Sequence, residues 1–142
     1  MKDWLLLFLR LAAGVGLAYW AGHGKVFVEE TRDTYANVLA EAQVPGAYFA
    51  ALLFGVVEFF GSAFIAAGFF TRKAAGLLLV FGAASGAIQL VLLERPLEHL
   101  FFLDRDAGLG TGFFLIAYVV LLLLGPGNIS FDAGRRRIQA EE

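Results

Sequence analysis

The sequence contains no cysteine, only three prolines and two histidines, and little charge: 17% of its residues are charged, against about 25% in ordinary soluble domains. Without cysteine there are no disulfides, thiolate metal sites, iron–sulfur clusters or CxxC redox centres. A net charge of −2 supplies no general attraction to nucleic acid, so no nucleic-acid partner is expected. A phosphate-cradling glycine loop, a GxSxG element and a soluble cofactor domain are missing as well. Apolar side chains dominate instead, at 59% of 142 residues. A small water-soluble domain cannot hide that much apolar surface, so the expected solvent, and first partner, is a lipid bilayer.

Four stretches approach the roughly 20 residues needed to cross a bilayer core. They are Trp4–Gly22, Gly46–Phe70, Ala74–Leu93 and Ala107–Gly125. Backbone groups in lipid must pair internally, which predicts helices, and the alternation of barrel strands is absent. Lys2 ahead of an apolar run resembles a signal peptide. The run is longer than a typical signal core, however, and no convincing A-x-A site follows it, so it is expected to be a retained helix. The predicted architecture is an all-α membrane protein: a four-transmembrane-helix bundle forming a single domain over residues 1–142.

Basic residues orient it. Lys2, the Arg72-Lys73 turn and Arg135-Arg136-Arg137 lie on one side, in short segments nearly free of acids. Lys25, Arg32, Arg95 and Arg105 lie on the other. The positive-inside rule then places both termini in the cytoplasm, with loops Gly24–Pro45 and Glu94–Asp106 outside. In the first outer loop, Tyr35, Val38, Leu39 and Ala42 share a helical face, with Thr31 as a candidate cap and Pro45 beyond the end. This predicts a short amphipathic helix in the interface plane. In the second, the apolar segment Pro96–Leu103 is expected at the interface, covering the outer mouth of the bundle. Gly82 and Gly86 form a GxxxG pair, and Ala12/Gly16 and Ala18/Gly22 repeat the spacing, which favours close helix packing.

Glu58 is the most informative position. It sits midway along its apolar stretch, where an acidic residue costs at least roughly 2.5–3.5 kcal/mol. It must be neutral or have a partner, and it is either a proton-accepting or ligand-binding carboxyl or a structural bridge. Arg10 can snorkel to the inner interface or turn inward to pair with Glu58. His23, Gly24 and Lys25 follow Trp20 at the outer end of the first helix. They read either as a proton-exchanging, cation-bearing site or as a helix end with a glycine stop. His23 and His99 are the available donors for a metal or haem iron, but their spacing carries no ligand signature, so neither group is expected.

The order of these features resembles the DoxX family of small bacterial and archaeal membrane proteins. The resemblance is carried by Arg10, by His23-Gly24-Lys25-Val26-Phe27, by Pro45-Gly46 and by Glu58 with Gly61. It continues through Gly68-Phe69-Phe70-Thr71-Arg72 and Gly125-Pro126-Gly127-Asn128-Ile129-Ser130-Phe131-Asp132. It implies a compact four-helix membrane domain in the cytoplasmic (inner) membrane of a bacterium or archaeon. Some relatives are the membrane subunit of a thiosulfate:quinone oxidoreductase, and others are linked to complexes that manage oxidative stress. By resemblance, Arg10, His23, Lys25, Glu58 and Arg72 stand where the family tends to keep polar residues. Members often carry a glutamate at the outer start of the fourth helix; this chain reads Gly108-Leu109-Gly110-Thr111-Gly112 there, leaving Asp104 or Asp106 as substitutes.

The leading functional expectation is therefore a redox-complex membrane subunit that binds a quinone. Glu58, His23 and Lys25 would meet the quinone oxygens, Trp20, Phe54 and Phe59 would form the walls, and Arg10 is a further candidate. No electron carrier is evident in the chain, so a redox protein partner would supply electrons; a homo-oligomer is the other expected assembly. The alternative is a non-catalytic membrane anchor or assembly factor, with a small-molecule carrier ranked behind it.

Overall fold

A computed structural model describes residues 2–94, 96–97 and 111–141, and every regular element among them is a helix. The chain runs α1 (Lys2–Phe27), α2 (Glu29–Glu41), α3 (Ala47–Ala67), α4 (Thr71–Leu92), α5 (Thr111–Leu124) and α6 (Phe131–Glu141). Among the described residues, α1, α3 and α4 are long and apolar enough to cross a membrane, and α5 contributes a shorter apolar stretch, Gly112–Leu124. Most of the segment expected to be the second outer loop, including His99, lies outside the described residues, as do Asp104, Asp106 and the expected start of the fourth span at Ala107.

The molecule turns large apolar side chains outward as well as into its core. Phe8 (71% exposed), Phe49 (70%) and Leu123 (69%) face outward, whereas Arg10, Lys25, Glu58, Ser62, Thr71, Ser85 and Gln89 are buried. Apolar exposure on this scale is unfavourable in water and costs nothing against acyl chains. The protein is a multi-pass helical membrane protein.

The main core joins Leu17 and Ala21 of α1, Ile65 of α3, Ala74, Ala75 and Leu78 of α4, and Tyr118 and Leu121 of α5. Gly82 and Gly86 are buried in this packing; a Cβ on Gly82 would lie 2.6 Å from Leu115 Cδ2, so the GxxxG face is used within the chain. A second cluster packs Tyr35, Ala36 and Leu39 of α2 against Ala51 of α3, flanked by Phe54 and Ile88. The amphipathic helix therefore exists, with its apolar face turned onto the bundle. Thr31 is not its cap: the helix starts at Glu29 with Val28 as its N-cap residue, and Thr31 is buried within it.

Three further differences matter. First, α1 does not end at Gly22 but continues through His23-Gly24-Lys25 to Phe27. Gly24 is no helix stop; it lets α2 approach, since a Cβ there would lie 2.8 Å from Thr31 Cγ2. Second, the Arg72-Lys73 pair is not a turn but the first turn of α4; the reversal is Gly68-Phe69-Phe70. Third, α6 occupies a stretch read from sequence only as a basic topology signal. Ser130 starts it, with Ser130 Oγ accepting from Ala133 N at 3.1 Å.

Candidate functional site

The buried stripe of α1 advances as Leu6, Arg10, Ala13 and Leu17. Continued at α-helical pitch, it reaches Gly24 rather than Lys25. Residues Ala18–Gly22 instead form a π-helical turn. One extra residue rotates everything after it by about 100°, which brings Lys25 into the stripe. A Cβ on Gly55 of α3 would lie 2.6 Å from Lys25 Cβ, so only glycine permits this approach.

Lys25 Nζ then donates to Glu58 Oε2 at 2.8 Å and Oε1 at 3.1 Å. Lys25 is 1% exposed and Glu58 3%. The ammonium also lies 3.9 Å from the centroid of the Tyr35 ring, a cation–π contact made strong by the exclusion of water. Tyr35 Oη and Ser85 Oγ share a hydrogen bond of 3.0 Å. Burial, the largest influence on it, holds the Tyr35 phenol above its ordinary range, so it acts as a neutral hydroxyl. Phe54 packs edge-on against Tyr35, and Phe81 against Phe54. The network thus ties α1, α2, α3 and α4 together. From sequence, Tyr35 was read only as part of an apolar face; its hydroxyl was the overlooked signal, because a buried tyrosine seeks a partner.

Beside Glu58 there is a cavity of about 10 Å³, lined by residues including Leu17, Leu78, Phe114 and Tyr118. That is about the room of one water molecule. A quinone ring does not fit against this carboxylate as packed.

A different concavity lies on the lipid-facing side, between α1 and α3. It measures about 480 Å³ and is lined by Gly14, Tyr19, His23, Phe59, Ala63 and Ala66, among others. The His23 ring stacks on Tyr19 with centroids 6.3 Å apart and tilts against Phe27 at 5.2 Å; Phe27 meets Phe59 edge-on at 5.4 Å. His23 Nδ1 is buried and makes no hydrogen bond among the described residues. The same holds for Trp20 Nε1.

The sequence-predicted residues therefore separate into three places. Glu58 and Lys25 form the enclosed pair, with Phe54 behind Tyr35. His23 and Phe59 line the open groove; Trp20 is not among its lining residues. Arg10 does not reach Glu58. Its Nη1 donates to the carbonyls of Pro126 (3.1 Å) and Ile129 (2.9 Å), and its Nε to that of Ala66 (3.3 Å). Ala66 lies eight residues, about 12 Å, beyond Glu58 along α3.

That end of the bundle carries its own network. Asp132 accepts from Phe70 N and Thr71 N, each at 2.9 Å, capping α4, while its own N–H donates to Gly68 O. Asp3 accepts from Asn128 N at 2.9 Å. Among the described residues, no group of three or more His, Cys, Asp or Glu side chains converges to hold a metal ion.

A polytopic membrane bundle with a buried Lys–Glu pair and a lipid-open imidazole is the class these features define. The DoxX family profile matches residues 5–92, and the chain belongs to the DoxX family. The match covers α1 to α4, including Arg10, His23, Lys25, Tyr35 and Glu58. No curated protein matches the chain, and no solved structure does.

Proposed function

We propose that this protein is the membrane subunit of a redox complex and binds a quinone in the groove between α1 and α3. The carrying observation is the apolar, lipid-open concavity with the His23 imidazole among its lining residues. A quinone needs such a slot: aromatic walls, here Tyr19 and Phe59, and a donor for one carbonyl oxygen, here His23. The alanine- and glycine-rich floor suits an isoprenoid tail. Lys25 and Glu58 act behind it as positioning residues. Their pair fixes the rotation of α1 after the π-turn and so the direction of His23, two residues earlier. Electrons come from a protein partner, since the chain supplies no carrier. In this reading the protein is a single four-span unit of a bacterial or archaeal cytoplasmic membrane, with Lys2, Arg72, Lys73 and Arg135 on the cytoplasmic side.

The test is binding of a fluorescent or photoreactive quinone analogue to the detergent-purified chain. His23→Ala should weaken binding roughly fivefold to tenfold, the effect of one lost hydrogen bond with some packing. Glu58→Gln, if folded, should weaken it less. Equal and negligible binding to the parent and both variants removes the reading.

The enclosure of Glu58 favours a second reading, a non-catalytic anchor or assembly factor in which the pair serves stability alone. That reading expects a partner to co-purify equally well with the parent and with His23→Ala, and no quinone to bind.

A further inference from the structure

At the end of the bundle that carries Lys2 and α6, two concavities adjoin. One, of about 540 Å³, is lined by four cations, Lys2, Arg72, Lys73 and Arg135, together with Asp3 and Asp132. The two carboxylates in it are already engaged by N–H groups, Asp3 by Asn128 and Asp132 by Phe70 and Thr71. The other, of about 600 Å³, is apolar, with Phe69, Ile129, Phe131 and Ile138 on its walls. Arg135 and Asp132 border both.

The geometry of α6 joins these two spaces. Phe131, Arg135 and Ile138 recur at four and three residues and share one helical face. Phe131 and Ile138 are largely exposed, as is Arg135. An exposed apolar face interrupted by arginine is the pattern of a helix lying at the membrane interface. Its start is pinned, because Asp132 is held by the α3–α4 turn and Ser130 caps the first turn. The cradle is thus a fixed feature of the fold, set beside the start of α4 and the end of α5.

We infer that this end of the protein binds an anionic phospholipid, its phosphate in the Lys2–Arg72–Lys73–Arg135 cradle and an acyl chain in the Phe69–Phe131–Ile138 groove. Guanidinium forks suit phosphate oxygens, and lysines add charge without geometric demand. The site is separate from the His23 groove and does not depend on a quinone binding there.

The test uses the full chain in neutral detergent. Binding of phosphatidylglycerol and phosphatidylcholine of equal chain length is measured by native mass spectrometry or by lipid-dependent melting. The parent should prefer the anionic lipid about tenfold or more, and the preference should shrink when salt is raised from 50 to 500 mM, as clustered Lys/Arg contacts do. Lys2→Gln/Lys73→Gln/Arg135→Gln should bring the two lipids to near-equal binding. Arg72 is left intact there because its Nη2 donates to Leu123 O at 3.2 Å and holds the end of α5. Arg32→Gln, which alters a cation stacked near Tyr48 rather than one in the cradle, should keep the preference. Equal binding of both lipids to the parent overturns the proposal, and that arm needs no variant to fold. Retention of the preference in the triple variant overturns it too. So does complete displacement of the lipid by millimolar inorganic phosphate without any dependence on acyl-chain length, which would assign the cradle to a soluble phosphate instead.

Discussion

The protein buries two cations of α1, Lys25 in its last turn and Arg10 about two turns in from its start, and treats them differently. Lys25 is held by a carboxylate, both of whose oxygens it reaches, under a tyrosine ring. Arg10 is held by three backbone carbonyls from the end of α3 and from the segment after α5. An ammonium is a compact point charge and is best neutralised by an opposite charge. A guanidinium spreads its charge over a planar fork and can collect carbonyl dipoles from several turns. The Lys25 site consequently concentrates its contacts in one pair, whereas the Arg10 site distributes them over a set of chain reversals, beside the Asp132 that caps α4. The first is a tightly closed arrangement between helices; the second joins the loops at one end of the bundle.

The largest test of that contrast is Glu58→Ala. It strands an ammonium in an apolar interior and should cost about 3–5 kcal/mol, seen as loss of folded protein or a collapsed melting temperature in detergent. Lys25→Met/Glu58→Leu, which removes both charges, should melt near the parent or above it. A double variant as unstable as Glu58→Ala would mean that the pair does more than neutralise charge.

Asp132→Ala comes next. Two charge-assisted bonds to the start of α4 and the tether of α6 disappear, a loss of about 2–3 kcal/mol by thermal melting. The distributed character of this end predicts that α6 becomes protease-sensitive while α1 to α4 stay protected; simultaneous cleavage throughout would show one cooperative unit instead.

Arg10→Lys keeps the charge and loses the fork, and should cost about 1–2 kcal/mol. A neutral outcome would mean that charge alone, and not the carbonyl geometry, matters there. The smallest effect is expected from Tyr35→Phe, which retains the ring over Lys25 but loses the bond to Ser85, about 1 kcal/mol. A loss as large as that of Glu58→Ala would place the hydroxyl, rather than the ion pair, at the centre of the network.

Some of this was legible along the chain because the relevant physics is one-dimensional. A lone acid in an apolar run must be neutral or have a partner, and Glu58 has a partner in Lys25. The first three apolar runs became α1, α3 and α4 with ends shifted by a few residues. The shifts arise where tertiary contacts compete with local stop signals: Gly24 reads as a helix end but serves the close approach of α2. Lys25 as the partner of Glu58 was not legible, because the choice between it and Arg10 rests on a π-turn that changes which face residues 23–27 present. The α6 helix could have been found. Ser130 just ahead of the helix, with Asp132 in its first turn, is a local start signal, and the arginine run masked it.

Composition and hydropathy alone made this chain a helical membrane protein, because lipid leaves the backbone no other way to satisfy its polar groups along long apolar runs. The family likeness was carried by residues in order, which needs no coordinates. Which charges meet, which histidine nitrogen is left without a hydrogen bond and which cations gather at one end were decided only in three dimensions. Those outcomes depend on the rotation of one helix against another, and a single extra residue in a turn changes that rotation by about 100°.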